Sequence, residues 1–117
     1  MNPVAGLSVA RIVIGLVALA SPALSAKLFR LDASSNPQLG YMSRMFGSRE
    51  VALGVITLAA PARLRTPIVV GGIAIDAADA AAGALAGRDG SVAKSTSAFL
   101  VGPAILAIVA GIIGLRR

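Results

Sequence analysis

Hydrophobic positions dominate this chain in four long runs, over residues 3–26, 39–60, 67–86 and 97–115, separated by short polar or basic stretches. Each run is near the roughly 20 residues that a helix needs to cross a bilayer core of about 30 Å. Three of the four starts share one punctuation, a capping residue followed by proline: Asn2-Pro3, Asn36-Pro37 and Thr66-Pro67. Asparagine or threonine caps the first free N–H groups, and proline at the first helical position lacks an N–H that would be orphaned there anyway. The pattern therefore predicts an all-α chain, a single integral membrane domain over 1–117 built as an antiparallel bundle of four transmembrane helices.

The connections are short. Only Pro61-Ala-Arg-Leu-Arg65 separates the second and third runs, which predicts a tight antiparallel hairpin. Gly87-Arg-Asp-Gly90 makes the next turn. Lys27-Leu-Phe-Arg-Leu-Asp32 follows the first run and reads either as a short helix in the membrane interface or as the end of helix 1 with snorkelling Lys27 and Arg30. The first run also admits a second reading as a signal peptide, with Ile12 to Ala20 as its apolar region. Arg11 inside it and the three further apolar runs favour a retained helix.

Composition narrows the chemistry. The chain is 56% hydrophobic and 14% charged, with a mean hydropathy of +0.85, whereas soluble domains carry about a quarter charged residues. Aromatic residues are 3%, so close packing falls to Ala and Gly, which let helices approach in lipid. There is no Cys and no His. Disulfides, thiolate or imidazole metal sites and Ser-His or Cys-His nucleophile systems are thereby excluded. The net charge of +6 is dispersed and has no aromatic platform beside it, which argues against nucleic acid and for the lipid bilayer as partner. No nucleophile–base pair can be named, so no enzyme activity, metal or cofactor is expected.

Four spans place both termini, Arg63, Arg65, Arg116 and Arg117 on one side, with Lys27, Arg30, Arg88 and Lys94 on the other. This near balance of basic residues orients the chain only weakly, with the termini assigned to the cytoplasm of a multi-pass protein in the inner (plasma) membrane.

Six charges fall inside the runs: Arg11, then Arg44, Arg49 and Glu50, then Asp76 and Asp79. Each would cost about 2.5–3.5 kcal/mol at mid-bilayer, so their coexistence predicts mutual pairing toward the bundle interior. Helical spacing aligns Glu50 with Gly47, Gly54 and Thr57, aligns Asp76 and Asp79 with Gly72 and Gly83, and aligns Arg11 with Ser8, Gly15, Ala18 and Pro22. Small residues flank the charge on every stripe, as they would at a helix–helix contact. Arg44 and Arg49 lie about 100° or more from the Glu50 stripe, on either side of it. In the last run Pro103, Ala107, Ala110 and Gly114 share a small face, and Gly83 to Gly87 is a GxxxG read as packing within the bundle.

Arg44-x-Phe-Gly-x-Arg-Glu-x-x-Leu-Gly54, followed by Ile75-Asp-Ala-Ala-Asp79, resembles the pattern of small four-span bacterial membrane proteins of the DoxX-like kind and neighbouring uncharacterised families. The resemblance implies a four-helix membrane bundle and no particular reaction. Sulfur and quinone chemistry linked to some DoxX relatives does not carry over to a chain without cysteine. Small multidrug-resistance transporters share the span count, but they place a lone glutamate in the first helix, where this chain has Arg11.

Two functions remain open at this point. One is a structural or accessory subunit, as a homo-oligomer or within a larger membrane complex, with the charges fixing helix register. The other is proton- or cation-coupled binding or transport of a small molecule or lipid through a cavity lined by Glu50, Asp76 and Asp79.

Overall fold

The computed structural model describes residues 2–116 as five helices: α1 Pro3–Ala20, α2 Pro22–Leu28, α3 Leu39–Ala59, α4 Ala62–Arg88 and α5 Lys94–Leu115. Arg117, counted above among the basic residues of the terminal end, lies outside the described residues. Three helices, α1, α4 and α5, are long and apolar enough to cross a membrane. The expectation of four such helices is corrected at α3. It is 21 residues long but carries Arg44, Arg49 and Glu50, and their charge removes it from the class.

The interior is polar and the exterior apolar. Buried among the described residues are Ser8, Arg11, Ser25, Glu50, Asp76 and Thr96. The buried apolar side chains among the described residues are Ala18, Ala26, Val69, Ala104 and Ala107, while Leu16, Ile56, Leu85 and Leu106 stand 52–71% exposed. Water would reverse this distribution. Lipid accepts it, and the longest dimension of 45 Å is close to the about 40–45 Å of a bilayer with its headgroups. These features mark a helical membrane protein.

Helix starts follow the cap–proline syntax only in part. Asn2 Oδ1 accepts the Ala5 N–H at 2.7 Å, with Pro3 opening α1 as expected. The first run does not continue to residue 26, because Ser21-Pro22 repeats the same syntax: Ser21 leaves helical geometry and its Oγ accepts the Leu24 N–H, starting α2. Residues 27–32 are thus neither an independent interfacial helix nor the end of helix 1. Lys27 and Leu28 finish α2, and Arg30 just beyond it, with φ of 58°, takes the left-handed conformation that normally belongs to glycine. The Leu31 N–H closes that turn on the Ala26 carbonyl at 2.8 Å.

Asn36 caps no helix. Its Nδ2 donates to the Asp32 carbonyl at 2.6 Å, so α3 begins at Leu39 without a side-chain cap. The hydroxyls of Ser35 and Ser34 donate to the Asp32 carboxylate in this turn and hold its pKa down at about 2. Thr66-Pro67 starts nothing either, since α4 runs from Ala62 with Pro67 in its second turn. That position still loses a helical hydrogen bond, but the two-residue link Ala60-Pro61 leaves the chain no other place to turn.

The bundle is two antiparallel pairs, α1 with α3 and α4 with α5, joined along α1 and α5. The predicted tight hairpin of the second and third long helices is not formed, because α3 and α4 separate soon after their short link and touch little. Glycine explains the preference. On α1 and α3, a Cβ on Gly15 would stand 2.6 Å from the Gly47 carbonyl oxygen, and one on Gly54 would stand 2.6 Å from that of Ser8. On α4 and α5, Gly83 packs on Leu100 and Val101, Gly87 on Ser97 and Gly111 on Ile73, so both GxxxG glycines face within the bundle. Ser97 Oγ adds a bond to the Gly83 carbonyl at 2.9 Å.

Candidate functional site

Burial falls on the stripes that the spacing defines. The buried residues of α1 are Ser8, Arg11, Gly15 and Ala18; those of α3 are Gly47, Glu50 and Gly54; and those of α4 include Gly72, Asp76 and Gly83. Each central charge lies near the middle of its helix, one or two turns from a glycine. Because α1 and α3 meet backbone to backbone at Gly15 and Gly47, the Arg11 side chain has only to bend along the contact to reach Glu50.

The result is a linear ionic chain. Arg11 is its hinge, with Nη1 donating to Glu50 Oε2 at 2.9 Å and Nη2 to Asp76 Oδ2 at 2.5 Å. All three side chains are at least 93% buried. Gly72 leaves room for the guanidinium, whose Nη2 would lie 3.6 Å from a Cβ there. From Glu50 the chain continues through Arg49, whose Nη2 donates to Glu50 Oε1 at 3.4 Å and to Asp79 Oδ2 at 2.7 Å. The order is Asp76, Arg11, Glu50, Arg49, Asp79, alternating in sign across α1, α3 and α4. No charge comes from α5.

Burial is graded along it. The Arg11 end is the more deeply buried, whereas Arg49 is 39% and Asp79 31% exposed. Arg49 also lies over the Phe46 ring, 5.3 Å from its centre, a cation–π contact one turn back on its own helix. Arg44 is not drawn in. It is exposed on the outer side of α3, next to Gly40.

The separation of α3 from α4 leaves a cavity of about 750 Å³, within the range of small-molecule sites. It runs from Gly6 of α1 and Ala110 of α5 to Phe29 and Leu31 beyond α2. Its walls are apolar apart from Ser43 and one charged patch, to which Arg11, Glu50, Asp76 and Asp79 belong. On the other side of Arg11 and Asp76 a void of about 20 Å³ is bounded by Ser8 and Thr57, room for about one water molecule.

Sequence reasoning did not find the aromatic part of this wall. The three phenylalanines are all engaged near one end: Phe29 meets Phe46 edge to face at 6.0 Å, and the Arg30 guanidinium lies 4.7 Å above the Phe99 ring. Thr96 Oγ1 donates to the Arg30 carbonyl at 2.7 Å, tying the α2 cap to α5. The scarcity of aromatic residues was the available signal, since one of the three lies inside the Arg44–Gly54 motif. No family model, no curated protein and no solved structure matches the chain, so the site stands on its geometry.

Proposed function

We propose that this chain is a small multi-pass protein of the inner (plasma) membrane that holds a small amphipathic molecule or lipid inside its bundle. In this reading α3 crosses the bilayer as a fourth span, its charges neutralised by pairing rather than by water, in the manner of the DoxX-like proteins that its motifs resemble. The carrying observation is the cavity of about 750 Å³ whose charged patch is formed by Arg11, Glu50, Asp76 and Asp79 of the ionic chain. An ion network serving only helix register has no need of a cavity beside it. Here one end opens into an apolar space that could be filled by larger side chains.

The test fills that space. Ala10 and Ala82 lie on opposite walls and are both exposed to it. Native mass spectrometry of the protein released from membranes should show one retained molecule per chain for the wild type. The variant Ala10→Phe/Ala82→Phe should fly bare while keeping its thermal stability. Equal retention by both proteins, or none by either, would overturn the proposal.

One observation favours a second reading, an accessory subunit of a membrane complex. The outer side of α3 presents Tyr41, Arg44 and Met45, a mixture better suited to a protein neighbour than to lipid tails. Arg44→Ala and Tyr41→Ala would then release a partner, or a second copy, that co-migrates with the wild type on native gels. Both changes leave the ionic chain untouched.

A further inference from the structure

We infer that the occupant of the cavity is a lipophilic monovalent cation, an organic molecule with apolar groups around one delocalised or alkylated positive charge, held beside Asp79. The inference rests on the binding reading above and deepens it.

Charge count is the first argument. The ionic chain holds three carboxylates against two guanidiniums, an excess of one negative charge in surroundings where an unbalanced charge is costly. Arg11 faces two carboxylates, Glu50 and Asp76, and Arg49 is shared between Glu50 and Asp79, so the excess belongs to the ionic chain as a whole. Both oxygens of Glu50 are also taken, one by Arg11 and one by Arg49. Of the three carboxylates, the one placed to meet a further cation is Asp79. Its Oδ2 meets Arg49, and among the described residues no donor meets its other oxygen. At 31% exposure it is also the carboxylate most open to the cavity.

The walls are the second argument. A bare metal ion needs six or more oxygen ligands, and among the described residues no group of acidic side chains is arranged to hold a metal. A small hydrated ion would leave most of a 750 Å³ apolar space wetted at a cost. An anionic headgroup would add negative charge to a patch that already carries an excess of it. A cation with its own apolar shell satisfies both wall and charge. Arg30 does not compete for the carboxylate, because its guanidinium is held over Phe99. The occupant has an entry route as well: Ile14 of α1 and Leu106 of α5 line the cavity and are 38% and 71% exposed, so both reach from its wall to the lipid-facing surface.

The test uses two ions of one shape and opposite sign, tetraphenylphosphonium and tetraphenylborate, titrated calorimetrically into the full chain in lipid nanodiscs, with empty nanodiscs as reference. Saturable binding of the phosphonium alone is expected, weakened at least tenfold in Asp79→Asn and retained in Asp79→Glu, which keeps the charge. Borate binding as tightly as the phosphonium, or phosphonium binding unchanged in Asp79→Asn, would overturn the inference on charge while leaving a binding cavity in place. Saturation by neither ion would overturn the binding reading itself and this inference with it.

Discussion

Replacing Arg11 by methionine should destabilise the protein more than any other single side-chain change. The substitution keeps an unbranched apolar stem of similar reach and removes only the guanidinium, so packing against α3 is largely preserved. What it leaves is Glu50 and Asp76, 5% and 3% exposed, facing one another with the shared cation gone. Removing one partner of a buried ion pair costs about 3–5 kcal/mol, chiefly because the remaining charge is buried without compensation. Total stabilities are only about 5–15 kcal/mol, so a fall in melting temperature on the order of 10 °C or more is expected in detergent. The converse is equally specific. In Arg11→Met/Glu50→Leu/Asp76→Leu all three charges are gone, and because apolar replacement of a buried triad is often neutral or stabilising, most of the lost stability should return. Melting curves of the single and triple variants decide this. A single variant as stable as the wild type would show that Arg11 does not hold α1, α3 and α4 together.

Gly15→Ala should be the next most damaging change, although it adds one methyl group. Its Cβ would stand 2.6 Å from the Gly47 carbonyl oxygen and 2.9 Å from the Val51 nitrogen, and backbone atoms cannot rotate away. The α1–α3 pair would have to move apart, at a cost of about 1–3 kcal/mol, typical of overpacking. That separation would also lengthen the Arg11–Glu50 contact, so the two losses are coupled. Gly71→Ala is the matched control: nothing lies within 4 Å of its Cβ. There the same methyl group should stabilise the helix by about 0.5–1 kcal/mol. Opposite shifts for one chemical change, measured by thermal unfolding, would confirm that close backbone approach sets the α1–α3 pair. Equal shifts would contradict it.

Much of this arrangement is visible in the residues. Ser8, Arg11, Gly15 and Ala18 share one stripe by helical spacing, and they are the residues that α1 buries. The reason is that lipid penalises an unpaired charge, so in a strongly apolar chain the charges announce the inward face. What the spacing does not contain is the partner of each charge. Arg44 and Arg49 lie at comparable angles from Glu50, and only the position of Asp79 on a separate helix draws in Arg49. The break at Ser21 was written in the same syntax as Asn2-Pro3, yet it was hidden by uninterrupted hydropathy on both sides. The cavity was least legible of all. It exists because α3 and α4, joined by the shortest link, each pack against a different neighbour, and the space left between elements is no property of any single stretch of sequence.

The ionic chain borders an open cavity and is not a sealed structural knot. Since the chain has no cysteine, single thiols report on this directly. Ser43→Cys and Ala82→Cys place a thiol on the cavity wall from α3 and from α4, and Ala18→Cys, at a position 0% exposed between α1 and α3, is the enclosed reference. Reaction rates with a small apolar maleimide should be high at 43 and 82 and negligible at 18. Protection at 43 and 82 equal to that at 18 would contradict the claim and leave the charges with a structural role alone.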